Sequence, residues 1–137
     1  MFRTLDISTS GLIAQRHRMD TIAGNIANIN TTQDAQGRTA PYQRRFVEFM
    51  KEKLKDGDEG RGTGVQFRVQ VDKNSAPRKV HQPGHPDADE SGMVAYPNID
   101  LTTEFVNALE ASRVYEANVA AVEITKSMVM ESLRILS

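Results

Sequence analysis

Apolar side chains recur along the N-terminal stretch at Leu5, Leu12, Met19, Ile22, Ile26 and Ile29, in steps of seven, seven, three, four and three. This is a heptad pattern with Ser8 and Gln15 as polar lapses, and it predicts a long helix ending at Asn30-Thr31-Thr32. The other end of the chain carries a longer version of the pattern. From about Asp100 to Leu136 there is no Pro and no Gly. Leu101, Phe105, Ala108, Ser112, Tyr115, Val119, Val122, Lys126, Val129, Leu133 and Leu136 follow in alternating steps of four and three, with Ser112 and Lys126 as polar exceptions. Asp100 or Thr102 caps the start, where acidic side chains suit the helix dipole.

Between these segments the periodicity changes. Gln43 to Lys55 mixes basic, acidic and apolar residues and fits either a short amphipathic helix or an extended segment. Asp56 to Gly64 is a glycine-rich loop. Val65, Phe67, Val69 and Val71 alternate with Gln66, Arg68 and Gln70, the pattern of a half-buried strand. Asp72 to Pro77 is turn material, Arg78 to Gln82 returns as a partner strand, and Met93 to Tyr96 forms a third short strand stopped by Pro97. The chain therefore divides into an N-terminal helix (1–32), a β-rich insert (33–97) and a C-terminal helix (98–137). The fold class is α+β, with the two long helices pairing as an antiparallel coiled coil.

The predicted intrachain seam joins Leu12, Met19, Ile22, Ile26 and Ile29 to Phe105, Tyr115, Val119, Val122, Val129, Leu133 and Leu136. Its helices present more buried-type surface than one seam uses. Thr21 to Thr32 contains no charge. With Met19 and Ile26 at position a, Gly24 falls at f and Ala27 at b, outward positions that an isolated coil fills with Lys, Glu or Arg. Ala117 to Val122 is again uncharged. A helix that is small or apolar most of the way round is a buried helix. Gly24, Asn25, Ala27, Asn28, Ala117, Asn118 and Ala121 are therefore expected to meet neighbouring subunits. Gly in a helix interior costs about 1 kcal/mol relative to Ala, and close packing between chains is the physical candidate to offset it. A helix of about 36 residues is roughly 54 Å long, against a radius of gyration of about 14 Å for a compact domain of this length. The ends are expected to order on assembly, through heterologous contacts that build a ring or a filament.

Composition narrows the function classes. The net charge of -1 gives no bulk attraction to nucleic acid. Hydrophobic content of 39% and aromatic content of 6% are thin for one compact core. The absence of Cys excludes a disulfide framework, a Cys–Zn site and a thiol nucleophile. No stretch reaches the ~20 apolar residues of a membrane span, and the charged N-terminus does not read as a cleavable secretory signal.

Candidate chemistry is sparse. The loop His81-Gln82-Pro83-Gly84-His85-Pro86-Asp87-Ala88-Asp89-Glu90 offers carboxylate and imidazole groups, but without a second ligand cluster, and Asp89 serves equally as a loop-amide acceptor. Asp87 to Gly92 holds only a fragment of an EF-hand loop. His17, between Arg16 and Arg18, reads as part of a solvated face. Ser8 to Gly11 lacks the strand of a nucleophile elbow, and the glycines from Gly57 to Gly64 lack the ending of a P-loop. Asn30-Thr31-Thr32 matches a glycosylation sequon of the kind common by chance. No nucleophile, base and stabiliser assemble; neither an enzyme nor a cofactor or metal is expected.

The two ends together are more specific. Ser10-Gly11-Leu12-Ile13-Ala14-Gln15 with the run from Arg18 to Thr32 resembles the N-terminal signature of the bacterial flagellar rod and hook family. Gly84-His85-Pro86-Asp87-Ala88-Asp89, followed by Gly92 and Tyr96-Pro97-Asn98-Ile99, resembles its proximal-rod members. So do the short length and Asn107 to Asn118 in the final helix. Met93 stands where the resemblance leads one to expect an aromatic residue, and the stretch from Gln33 to Gly64 is less typical. The resemblance implies a structural subunit of the proximal rod, the axial drive shaft of the basal body that spans the periplasm. It implies terminal helices in the inner layers of a tube, a middle part forming an outer domain, and export through the flagellar type III apparatus without a cleaved signal. Implied partners are further copies, other rod proteins and the rod-to-base adaptor. The rival reading is a soluble helical export chaperone or adaptor that folds alone as an antiparallel hairpin.

Overall fold

The computed structural model describes residues 2–53 and 63–135. Most of the predicted glycine-rich loop, together with Leu136, lies outside the described residues. The elements are α1 (Phe2–Ala27), β1 (Arg45–Lys51), β2 (Val65–Val71), β3 (Arg78–His81), β4 (Met93–Tyr96) and α2 (Leu101–Ile135). The α+β class and the two terminal helices stand as expected. Arg45–Lys51 resolves as a strand rather than a helix. The third short strand joins β3 rather than extending one sheet, so the described residues form two two-stranded sheets, β1-β2 and β3-β4.

Both helix boundaries have local causes. α2 is capped by Asp100: its carboxylate accepts hydrogen bonds from the Thr102 and Thr103 backbone N–H at 3.3 and 3.2 Å and from the Thr103 hydroxyl at 2.6 Å. α1 ends earlier than the apolar pattern predicts. The Asn28 amide nitrogen donates to the Gly24 carbonyl at 2.8 Å and Ile29 N–H bonds Ile26 O at 3.3 Å in a tightened last turn, so Ile29 stands beyond the helix.

The chain folds as two compact units, one of Met1–Met19, Val47–Arg68 and Ala108–Ser137, the other of Asp20–Phe46 and Val69–Asn107. In the first unit α1 and α2 run antiparallel. Asn118 lies against Gly11, where a Cβ would stand 3.3 Å from its Nδ2, and Arg18 bonds Glu110 at 2.7 Å. Ala14 and Ala111 are enclosed, small residues that let helices approach. On another face of α1, the Ser10 hydroxyl accepts the Val65 N–H at 2.9 Å, and His17 stacks on Phe67 with centroids 4.3 Å apart. The exposed His17 is thus a packing residue as well as a solvated one.

In the second unit β3 and β4 pair antiparallel, Arg78 with Tyr96 and His81 with Met93. Val94, Pro97 and Ile99 form the apolar floor, with Ile22 of α1 buried in the same unit. Gly92 turns the loop at φ 74°, a left-handed conformation that favours glycine.

Candidate assembly surfaces

The deepest side chains of the second unit are polar. Asn25 and Glu104 are both 0% exposed. The Asn25 amide nitrogen donates to the Arg45 carbonyl at 2.7 Å and to Glu104 Oε2 at 3.1 Å. Its oxygen accepts the Arg45 N–H at 2.9 Å and the Tyr42 hydroxyl at 3.3 Å. All four hydrogen-bonding positions of the amide are filled. Facing one residue's N–H and C=O, it docks on the start of β1 as a neighbouring strand does. Arg44 completes the node, its Nε and Nη2 both 2.7 Å from Glu104 Oε1.

This corrects one expectation: Asn25 is spent inside its own chain and offers nothing to a neighbour. Asn28 also has an internal role, capping α1. Gly24 differs, since a Cβ built there meets only the Tyr42 hydroxyl, at 4.0 Å. Ala27, Ala117 and Ala121 are exposed, and Asn118 is half-buried beside Gly11.

The expected intrachain seam is displaced on α2. Phe105 and Leu133, expected inside, are each 58% exposed. The shielded positions are Glu104, Asn107, Ala108, Ala111, Ser112, Tyr115, Asn118, Val119, Val122, Thr125, Val129 and Ser132. The shielded stripe thus extends from the predicted seam toward Glu104, Ala111 and Asn118, where Glu104 meets Asn25 of α1 and Arg44, and Asn118 lies against Gly11 of α1. Tyr115, Val119, Val122 and Val129 remain partly shielded, as do Leu12, Met19, Ile26 and Ile29, while Ile22 is buried. A large apolar surface of α2 is left in water, including Leu109, Ile124, Met128 and Met130.

The histidine–aspartate loop is a latch. The Asp87 carboxylate accepts hydrogen bonds from the Thr32 hydroxyl and the Gln33 amide, both at 2.7 Å. These bonds, Gln33 foremost, hold its pKa below the usual carboxylate range. His85 Nδ1 accepts the Asp87 N–H at 3.1 Å. Asp89 accepts the Ser91 and Met93 N–H groups, each at 2.9 Å, as a loop-amide acceptor. Among the described residues no group of three acidic or histidine side chains is placed to hold a metal ion, and no helix is long and apolar enough to cross a membrane.

Sequence reasoning missed the Arg44–Glu104 pair. Glu104 lies in the first turn of α2, where an acid suits the helix dipole. The signal that marks it is the heptad step from Glu104 to Ala111 and Asn118, which puts it on the shielded stripe.

The arrangement is that of a subunit built for packing, with locked polar contacts inside and long apolar helix faces outside. Known proteins agree. Residues 5–33 match the flagella basal body rod protein family, and residues 90–135 match the C-terminal region of the flagellar basal body rod FlgEFG proteins. The flagellar basal-body rod protein FlgC of Bacillus subtilis is 36% identical over 145 residues, covering 98% of this chain and 97% of that protein. FlgC of Salmonella typhimurium is 36% identical over 134 residues, covering 97% and 96%. FlgC of Borreliella burgdorferi is 35% identical over 154 residues, covering 99% and 97%. The chain belongs to the FlgC family of flagellar basal-body rod proteins. The rival chaperone or adaptor reading has no support among these relatives.

Proposed function

We propose that the chain is a structural subunit of the proximal rod, polymerising with further copies and other rod proteins into the shaft that carries motor torque to hook and filament. The observation that carries this reading is the similarity to basal-body rod proteins over nearly the whole length of both chains. The exposed apolar faces of α2 support it, since such faces in a subunit mark protein contacts. In this reading residues 1–32 and 98–137 form the inner coiled-coil layer and 33–97 an outer domain. Gly24, Ala27, Asn28, Ala117, Asn118 and Ala121 meet neighbouring subunits, and Leu136 extends the seam. The subunit reaches its place across the periplasm through the flagellar type III export apparatus, without a cleaved signal, and contacts the rod-to-base adaptor at one end. Function here is stiffness, so no substrate or cofactor enters.

Expression in a cell lacking its own proximal-rod subunit tests the proposal. Restored motility, with the chain recovered in purified basal bodies, is the expected result. A chain that is exported yet absent from basal bodies, with no motility, overturns it.

A further inference from the structure

The seven asparagines of the chain differ in how well their own backbone protects them. Asparagine deamidates when the backbone nitrogen of the following residue attacks its side-chain carbonyl carbon, and it is a thermolabile residue for that reason. The attack needs a small following residue and a main chain free to turn. Asn107 and Asn118 lie within α2, and Asn25 is enclosed within α1, where the helix fixes the torsions. Asn28, Asn30 and Asn98 precede Ile29, Thr31 and Ile99, whose β-branched side chains crowd the approach. The Ile29 and Thr31 N–H groups are also held by the Ile26 and Asn28 carbonyls, at 3.3 and 3.1 Å. Asn74 has none of these shields. It is exposed in the turn between β2 and β3, and Ser75 after it is small and unbranched. Its side-chain amide has no hydrogen-bond partner among the described residues.

Asp72 holds this turn. Its Oδ1 accepts the Asn74 and Ser75 N–H groups at 3.0 and 3.2 Å, and its Oδ2 accepts the Ser75 hydroxyl at 2.6 Å. The Ser75 hydroxyl, foremost, and the turn amides keep the Asp72 carboxyl below the usual carboxylate range, so it is charged at neutral pH. Two successive N–H groups on one oxygen fix the Asn74 torsion that carries the Ser75 nitrogen. Bringing that nitrogen onto Asn74 Cγ rotates the same torsion and breaks a hydrogen bond to a charged acceptor, the stronger kind.

We propose that Asn74-Ser75 is a site of spontaneous deamidation and that Asp72 is the residue restraining it. The Ser75 nitrogen loses its proton and bonds to Asn74 Cγ, the Cγ–Nδ2 bond breaks, and ammonia leaves with that proton. Water then opens the cyclic imide at either carbonyl. One product carries aspartate at this position. The other routes the main chain through the side-chain carbon, as isoaspartate, and lengthens the turn by a methylene. Both add a second carboxylate beside Asp72, whose own N–H bonds the carbonyl of Arg44, the partner of Glu104.

The test is the full chain held at mildly alkaline pH, then digested and mapped by mass, with isoaspartate read by enzymatic methylation. In the parent, the mass gain that marks amide becoming acid is expected slowly, and first in the peptide holding Asn74. Aspartates such as Asp56, followed by Gly57, isomerise without that gain. Asp72→Ala is expected to speed conversion at Asn74 about tenfold, the worth of one hydrogen bond to a charged group, and to leave the other asparagines as slow as before. Ser75→Val in the Asp72→Ala chain is expected to bring conversion back to the parent rate or below. Conversion spread to Asn30 and Asn98 marks an unfolded variant. Asp72→Ser, whose hydroxyl accepts turn amides without a charge, then carries the test, with a smaller acceleration confined to Asn74 expected. Conversion that begins at another asparagine of the folded parent overturns the proposal, as does a rate at Asn74 that neither Asp72 variant raises.

Discussion

The Asn25 amide nitrogen donates to Glu104 Oε2 at 3.1 Å, joining two side chains that are each 0% exposed. A carboxylate so enclosed depends on its partners, because removing one side of a buried pair leaves an uncompensated charge. Arg44→Ala strands the enclosed Glu104 carboxylate and is expected to destabilise the chain by about 3–5 kcal/mol. Asn25→Ala strands the Arg45 backbone groups and is expected to cost about 1–3 kcal/mol. Urea unfolding of the purified chain measures both. An Asn25→Ala chain as stable as its parent but unable to assemble would return Asn25 to the subunit surface.

Gly24 predicts the opposite split. A Cβ there has space in the single chain, and Ala is about 1 kcal/mol better than Gly within a helix. Gly24→Ala is expected to raise the unfolding midpoint slightly, whereas Gly24→Leu is expected to leave the chain folded and exported but missing from basal bodies. Normal basal bodies carrying Gly24→Leu would show that no neighbour packs there.

Ser10 and Gly64 act as one device. A Cβ on Gly64 would stand 3.0 Å from Ser10 Oγ and 2.6 Å from Glu52 Oε2, pushing aside the hydroxyl that receives the Val65 N–H. Ser10→Ala and Gly64→Ala are each expected to cost about 1 kcal/mol. The double variant is expected to cost little more than either, because both remove the same bond. A double-mutant cycle in urea reads the coupling.

Asp34, Asp72, Asp87, Asp89 and Asp100 all titrate below the usual aspartate value of 3.8. A depressed folded-state pKa adds stability above the unfolded value, and the contribution is lost as pH falls through the folded value. Stability is therefore expected to be level from neutral pH down to about 5 and to fall below about pH 4. Asp87→Asn, which loses the carboxylate that Gln33 and Thr32 grip, is expected to be weaker at neutral pH and to converge on the parent as acid is added. Parallel curves down to the lowest pH would remove Asp87 from the account.

The helices were legible because heptad spacing and the lack of Pro and Gly after Asp100 leave little alternative. The β2 strand was legible from its alternation. What could not be read was which of several adjacent stripes each helix turns inward. Hydrophobicity favoured Phe105 and Leu133, but the chain buries Glu104 and Ala111 and half-buries Asn118, because a filled polar network and small residues set the approach of elements far apart in sequence. Asn25 was misplaced for the same reason: an uncharged amide on a helix looks alike whether its partner is β1 or another subunit. The exposed pattern of Ala117 and Ala121 was visible early, since absence of charge is itself a local signal.

The node at Glu104 also bears on time. Asn25 is made early in synthesis, and its carboxylate partner follows 79 residues later. Until then both the Asn25 amide and the Arg44 guanidinium lack Glu104, so the emerging chain cannot complete its second unit. Loop closure over such a span is slow compared with local helix growth. Completion of the second unit is thus postponed to the last part of the chain.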